Sequence, residues 1–113
     1  MGYRSNVNIF IRQDEEDLKK IINSAKTIDK FFNDNDYEIK NNSDGQTVLH
    51  IYFDSIKWYD EFPLISFLQQ VMDNLNDEDY LFTREGEKWN DIEIEGDYGY
   101  AYPVTEIEFD VDF

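Results

Sequence analysis

Cysteine is absent from this 113-residue chain, proline occurs twice, glycine five times and histidine once. Without cysteine the chain has neither disulfide bonds nor thiolate chemistry, and a reducing cytoplasm is the expected compartment. No apolar stretch approaches the roughly 20 residues that cross a bilayer. The N-terminus also lacks a basic region followed by an apolar run, so no signal peptide is expected. The sequence therefore predicts a cytoplasmic protein that does not enter membranes.

Basic residues are scarce and unevenly placed. Lys and Arg number 10 against 26 Asp and Glu, which gives a formal net charge of −16. Residues 1–76 contain 13 acids and 8 bases, whereas residues 77–113 contain 13 acids and only two bases, Arg84 and Lys88. Direct binding to nucleic acid or to an anionic membrane calls for Lys and Arg, so this balance argues against both. A basic protein is the partner that such a charge favours.

Aromatic residues show that the acidity is not that of a disordered tail. The chain contains 9 Phe, 8 Tyr and 2 Trp, whereas disordered acidic segments are poor in aromatics. A chain of this length can bury one hydrophobic core. We therefore expect residues 1–113 to form a single domain.

Hydrophobic periodicity predicts two helices, near residues 14–33 and 62–75, each with one apolar stripe. Alternation and turn residues predict strands around residues 7–12, 37–40, 47–56, 80–84, 91–95 and 100–113, the last with a break near Pro103. The resulting order is β-α-β-β-α-β-β-β. It predicts an α+β fold in which two helices pack on one face of a mainly antiparallel sheet of four to six strands.

The last predicted strand alternates acids with large apolar residues from Glu106 to Phe113. Successive side chains of a strand point to opposite faces, so one face should bury Ile107, Phe109 and Val111. The other face should be anionic, as should one face of the strand around residue 93. The candidate partner-binding residues are therefore Asp91, Glu93, Glu95, Glu106, Glu108, Asp110 and Asp112.

Seven carboxylates on two neighbouring strands approach the charge of one nucleic-acid backbone. Same-face residues lie about 6.6 Å apart, so four of them span roughly 20 Å, a length that holds about six phosphates of one DNA strand. Mimicry of nucleic acid requires both strands to lie in one sheet with their acids facing the same way. The alternative is that the acids only solubilise the outer face and protect an edge strand from aggregation.

Catalytic and metal-binding patterns are weak. His50 lies between Leu49 and Ile51 in the most apolar strand, which is typical of a structural histidine, and no serine lies in a Gly-x-Ser-x-Gly motif. The acids from Asp34 onward begin like a calcium-binding loop, but its sixth position is Ile39 and its twelfth is Gly45. We therefore expect no enzyme activity, no metal site and no cofactor.

Three short stretches together resemble a group of small, functionally uncharacterised phage and prophage proteins. They are Gly2 to Val7, Lys57 to Asp60 with Pro63, and Arg84 to Glu87 with Asp91 to Glu93. The resemblance spans most of the chain and implies an accessory phage protein. Small acidic phage proteins often block host nucleases, restriction or CRISPR effectors, or polymerase, some of them as DNA mimics. That comparison assigns no residue roles.

Three further residues near the strand ends are candidates for contacts. Trp58 and Tyr59, at the entry to the second helix, are a candidate partner anchor because such residues dominate binding hot spots, although capping the core is the commoner role. Arg4 is expected to pair with C-terminal acids, with a ligand anion as the alternative partner.

The sequence thus predicts a non-enzymatic, phage-derived inhibitor, monomeric or homodimeric, in the host cytoplasm. Its expected partner is a basic host protein that handles nucleic acid. The alternatives are a small structural or assembly module whose acidity confers solubility, and a small enzyme that uses a carboxylate pair.

Overall fold

The computed structural model describes residues 3–41 and 45–97. Within them the chain forms seven regular elements and two short 3₁₀ turns, Asp34–Asp36 and Asp77–Asp79. In chain order the elements are β1 (Ser5–Arg12), α1 (Glu15–Ile28), β2 (Tyr37–Asn41), β3 (Thr47–Ile56), α2 (Pro63–Asp73), β4 (Tyr80–Gly86) and β5 (Ile92–Gly96). The predicted strand over residues 100–113 lies outside the described residues.

The five strands form one sheet in the order β2-β3-β1-β4-β5, and every neighbouring pair is antiparallel. The first strand in the sequence is therefore the central strand of the sheet. The two helices pack against this sheet, and the predicted α+β fold is confirmed.

Both helices are shorter than their apolar periodicity predicts. Helix α1 ends at Ile28 because the backbone of Asp29 is extended, yet Phe32 beyond it is still buried against the core. Helix α2 begins at Pro63, whose missing N–H is tolerated in a first turn. In the described part of the chain neither helix has the length and apolar character needed to span a membrane.

The main core lies between the helices and one face of the sheet. From the strands it contains the alternate residues Val7, Ile9, Ile11, Leu49 and Ile51, and from the helices it contains Leu18, Ile22, Ala25, Leu64, Leu68 and Met72. Burying a leucine-sized side chain stabilises a fold by about 1.5–3 kcal/mol. These residues are the ones that the apolar stripes select.

The opposite face of the sheet is also buried at its centre. Phe10, Val48, Leu81 and Thr83 point away from the main core and are at most 5% exposed. Strands β1 and β4 are thus buried on both faces over part of their length, where their sequences form short apolar runs, Ile9 to Ile11 and Tyr80 to Phe82, rather than strict alternation.

The register of β1 with its two neighbours defines the two ends of the sheet. At one end Ser5 pairs with Ile56 and Gly86, and at the other Ile11 pairs with Leu49 and Tyr80. We call them the Ser5 end and the Arg12 end, after the first and last residues of β1. Helix α1 runs from the Arg12 end to the Ser5 end, and α2 runs in the opposite direction.

A β-bulge shapes the Ser5 end of β3. Between Ser5 and Val7 strand β1 advances by two residues while its partner advances by three, from Phe53 to Ile56. The bulged segment contains Ser55, whose φ of 64° lies in the left-handed region. The side-chain oxygen of Asn6 accepts the Ser55 N–H at 2.9 Å, which holds this conformation in place.

Candidate functional site

Two of the predicted partner-binding acids are bound within the protein by Arg84. Its guanidinium donates to Asp91 at 2.9 Å and to Glu93 at 2.5 Å, and also to the hydroxyl of Ser5 at 2.9 Å. The Arg84 side chain is only 14% exposed. This cation on β4 therefore neutralises much of the charge that the sequence pattern assigned to β5.

Tyr3 completes this cluster at the Ser5 end. Its hydroxyl donates to the second carboxylate oxygen of Asp91 at 2.6 Å. The hydrogen bond from Tyr3 and the bonds from Arg84 hold the pKa of Asp91 below its usual value. Burial, followed by the bond to Asp91, raises the pKa of Tyr3. Asp91 is thus a structural carboxylate held in its ionised form.

Glu95 belongs to a different environment, at the Arg12 end. There it joins Asp73, Asp77 and Asp97 around the side chain of Tyr80. The backbone N–H of Asp97 donates to the carbonyl of Asp77 at 2.8 Å, which ties the end of β5 to the 3₁₀ turn. We call these four exposed acids the carboxylate cluster. Burial, and then repulsion from the four acids, raises the pKa of Tyr80.

Within the described ranges no ion pair neutralises the carboxylate cluster. The neighbouring Asp79 is bound by Arg12 at 2.6 Å, so it does not add to the free charge. Helix α2 ends at Asp73 with no basic residue in its last turn. The partial negative charge of a helix C-terminus repels a carboxylate there, so this end of the molecule concentrates uncompensated negative charge.

The orientation of β5 bears on the mimicry hypothesis. Glu93 pairs with Arg84 and Glu95 with Phe82, so both acids point to the face of the sheet that carries the helices. The hypothesis also needs Glu106, Glu108, Asp110 and Asp112, all of which lie outside the described residues. Its condition that both sets of acids face the same way stays a prediction.

The two candidate anchor residues have partners inside the protein. The ring of Trp58 packs against Phe53 and Phe82, with ring centres 6.3 and 5.4 Å away. The hydroxyl of Tyr59 accepts the backbone N–H of Tyr3 at 2.7 Å. Their role as a partner anchor stays a prediction, and both residues clearly contribute to packing.

Arg4 makes short contacts to the backbone and side chains of the Ser5 end. Its guanidinium donates to the carbonyl of Ser55 at 2.7 Å, and its backbone N–H donates to Glu87 at 2.6 Å. Arg4 therefore fastens the bulge of β3. The predicted pairing of Arg4 with C-terminal acids concerns residues outside the described part of the chain and stays a prediction.

His50 has the surroundings of a structural residue. Its ring stacks on Phe10 with centres 4.2 Å apart, and its Nε2 lies 2.8 Å from the side-chain oxygen of Asn8. Burial, with a smaller effect of Lys40, lowers its pKa to about 4. Such a histidine is neutral at pH 7. In residues 3–41 and 45–97, no group of three or more His, Asp or Glu side chains is arranged to hold a metal ion.

Sequence patterns missed Arg84 as the centre of an ionic cluster, as well as three exposed aromatic side chains, Phe31, Phe62 and Trp89. One signal for Arg84 was present, because it is one of two bases among 13 acids in residues 77–113. The exposed aromatics had no such signal, since large aromatic side chains are on average highly buried.

No protein-family model matches this chain, and searches of the curated proteins and of the solved structures found no match.

Proposed function

We propose that this protein is a non-enzymatic binding protein that docks onto a basic, nucleic-acid-handling protein through its anionic surface. One observation carries the proposal. Asp73, Asp77, Glu95 and Asp97 are exposed around Tyr80, and no ion pair of the described residues neutralises them. Complementary charge of this kind speeds association and orients a partner.

The position of the carboxylate cluster supports a binding role over simple solubility. Solubilising acids can lie anywhere on a surface, including helix N-termini, where they stabilise the fold. Here Asp73 lies at the C-terminus of α2, where a carboxylate is unfavourable by about 0.3–1 kcal/mol. A Lys or Arg of a partner would relieve this repulsion. Binding therefore gains favourable electrostatic free energy that the protein alone lacks.

The preference for a nucleic-acid-handling partner rests on charge. Proteins that bind phosphate backbones carry rows of Lys and Arg, and a carboxylate array competes for the same side chains. The proposal includes a phage origin and a host nuclease, CRISPR or restriction effector, or polymerase as target, on the motif resemblance alone. Glu106, Glu108, Asp110 and Asp112 remain in it as sequence predictions.

The absence of catalysis is part of the same proposal. The single histidine of the chain is stacked on Phe10, and its pKa of about 4 leaves it a poor base at neutral pH. The carboxylates of the Arg84 cluster are occupied by hydrogen bonds. These features favour a binding role for the described surface.

A structural or assembly module is the second candidate. The observation that favours it is the Arg84 cluster, in which Asp91 and Glu93 serve the fold. If the remaining acids only solubilise the protein, their positions are interchangeable. The two candidates therefore differ in whether charge location matters at constant net charge.

Two double variants test this difference. In the first, Asp77→Lys and Glu95→Lys reverse two members of the carboxylate cluster. In the second, Asp60→Lys and Glu61→Lys reverse two exposed acids of the loop before α2, at the Ser5 end. Each changes the net charge equally. Immobilised wild type and variants would be incubated with bacterial lysate at low salt, and retained proteins eluted by a salt gradient.

We expect wild type and the Asp60/Glu61 variant to retain the same basic protein, released at moderate salt and displaced by a DNA duplex. The Asp77/Glu95 variant should lose it, because like charge inside a complementary interface costs several kcal/mol whereas exposed distant charges are screened within about 8 Å. Equal loss in both variants, or recovery of nothing but this chain itself, would favour the solubility module.

A further inference from the structure

The Ser5 end contains an open groove of about 950 Å³, on the opposite side of the molecule from the carboxylate cluster. Its walls are the end of α1, the bulged end of β3 and the start of α2. Helix α2 has 11 residues, which at 1.5 Å per residue separate the groove from the cluster by about 16 Å. The groove is thus a distinct surface, and the argument for it does not depend on the proposed function.

Exposed apolar side chains are concentrated in this groove. Of the six large apolar residues that are clearly exposed in the described chain, three line it: Phe31 at 76%, Ile28 at 40% and Phe62 at 38%. Its floor is formed by Phe53, Leu64 and Ile65, which are buried. Contiguous exposed apolar surface in a concave site is typical of a binding site.

The rim of the groove carries both signs of charge, with acids in excess. Asp29, Asp36 and Asp54 line it together with Arg4 and Lys57, and none of these five residues forms a salt bridge in the described chain. Asp29 and Asp36 each accept one backbone N–H, which leaves their negative charge without a cation. The guanidinium of Arg4 is already bound to the carbonyl of Ser55. The acids therefore favour a cationic occupant, in keeping with the net charge of −16.

The shape of the site selects among occupants. Small ligands are held in cavities of about 300–1,000 Å³ that enclose most of their surface. This groove reaches the upper limit of that range and is open to solvent, so it would leave a small ligand largely exposed. A segment of polypeptide needs no enclosure, because one anchoring side chain can fill the floor while its neighbours reach the rim.

We propose that this groove binds a short peptide segment of a partner protein, in which a large apolar side chain is flanked by Lys or Arg. The apolar side chain packs between Phe31 and Phe62, and the flanking cations face Asp29, Asp36 and Asp54. The groove thus recognises a segment that has both an apolar side chain and positive charge.

Two labelled peptides of equal charge provide the probes: acetyl-Lys-Lys-Leu-Phe-Lys-Lys-amide, and the same peptide with two serines in place of Leu-Phe. Binding to the full chain would be followed by NMR chemical shifts. We expect the first peptide to shift the amides of Ile28, Phe31, Ser55 and Leu64 with saturation, and to bind at least about 10-fold tighter than the serine peptide.

The double variant Phe31→Ser, Phe62→Ser should weaken the first peptide at least about 10-fold. Serine at position 62 also suits the N-cap of α2, so this variant is expected to fold. The matched control is Trp89→Ser, which removes an aromatic ring that is 92% exposed outside the groove and should leave binding unchanged.

Several results would overturn the inference. One is equal affinity for the two peptides, with shifts confined to the carboxylate cluster, which would show binding by charge alone and leave the proposed function standing. Another is equal weakening by Trp89→Ser. A third is a self-associated wild type, seen by analytical ultracentrifugation, that the Phe31/Phe62 variant converts to monomer. That outcome would assign the groove to a second copy of this chain.

Discussion

The two ends of the sheet give similar acids opposite surroundings, paired with a cation at one end and grouped with other acids at the other. At the Ser5 end, Asp91 and Glu93 are held by Arg84 and contribute to the fold. At the Arg12 end, Glu95 and Asp97 join other carboxylates, and no cation of the described residues forms an ion pair with them. Strand β5 and the residues immediately before and after it supply acids to both ends. The role of each acid is therefore set by the neighbouring strand and turn, and not by the alternating pattern that all of them share.

Removing Arg84 should have the largest effect on stability, because it leaves the acids of the Ser5 end as unpaired as those of the Arg12 end. Arg84→Met keeps an unbranched apolar stem but removes the guanidinium, which leaves Asp91 and Glu93 without their cation. We expect a loss of about 3 kcal/mol in the free energy of unfolding, since the guanidinium is 14% exposed and bonds three side chains. Urea denaturation would measure it.

The control for Arg84 is Lys19→Met, which removes the exposed pair of Lys19 with Glu15 and should cost less than about 0.5 kcal/mol. If both variants lost the same small amount, the acids of the Ser5 end would be as unsupported as those of the Arg12 end.

Mild acid should destabilise the protein through His50, which lies in the middle of the sheet between the two ends. His50 faces Phe10 and Asn8, with Glu38 and Lys40 on the neighbouring strand, and its pKa of about 4 lies below the ordinary 6.5. The unfolded chain therefore binds the proton more readily than the native one. Stability should fall as the pH drops from 6.5 toward 4, by about 2 kcal/mol between pH 7 and pH 5.

Thermal unfolding of wild type and His50→Gln over this pH range would measure the effect. The glutamine variant should lose the pH dependence between pH 7 and pH 5, because glutamine does not titrate. A variant with the same slope as wild type would place the titrating group elsewhere.

The smallest expected effect is a gain in stability at the Arg12 end. Asp73→Asn removes a carboxylate from the C-terminus of α2 and from the repulsion around Tyr80, so it should stabilise the protein by about 0.5 kcal/mol and bring the pKa of Tyr80 closer to its ordinary value. Asp17→Asn is the mirror-image control, because this acid lies in the first turn of α1 and its removal should destabilise by a similar amount. Urea midpoints and absorbance titration of tyrosine would test both.

Much of the fold was predictable because the core residues repeat with the periods of helices and strands. The strand bounds of β3 and the position of Pro63 at the start of α2 follow from such local rules. The burial of Phe10, Val48 and Leu81 on the second face did not follow, since alternation describes a strand with one buried face.

The site was less predictable than the fold. A run such as Asp91 to Glu95 predicts an anionic strand, but the contact that changes its meaning comes from Arg84 on the paired strand. Likewise Tyr80 and Asp73 meet only because α2 and β4 bring them to one end of the sheet. Pairing across strands is a property of the register, which the hydrophobic pattern and the connecting turn set together, and neither of them singles out a partner for one exposed acid.

The central place of β1 has a consequence for the order in which the chain folds. The pairs β2–β3 and β4–β5 are local in sequence and can form as hairpins within microseconds. Strand β1 joins them, and its partner Gly86 follows Ser5 by roughly 80 residues, which a ribosome adds in about 4–16 s. Of the five strands, β1 is thus synthesised before the others and enclosed last, and until then its apolar side chains are exposed to chaperones and to other nascent chains.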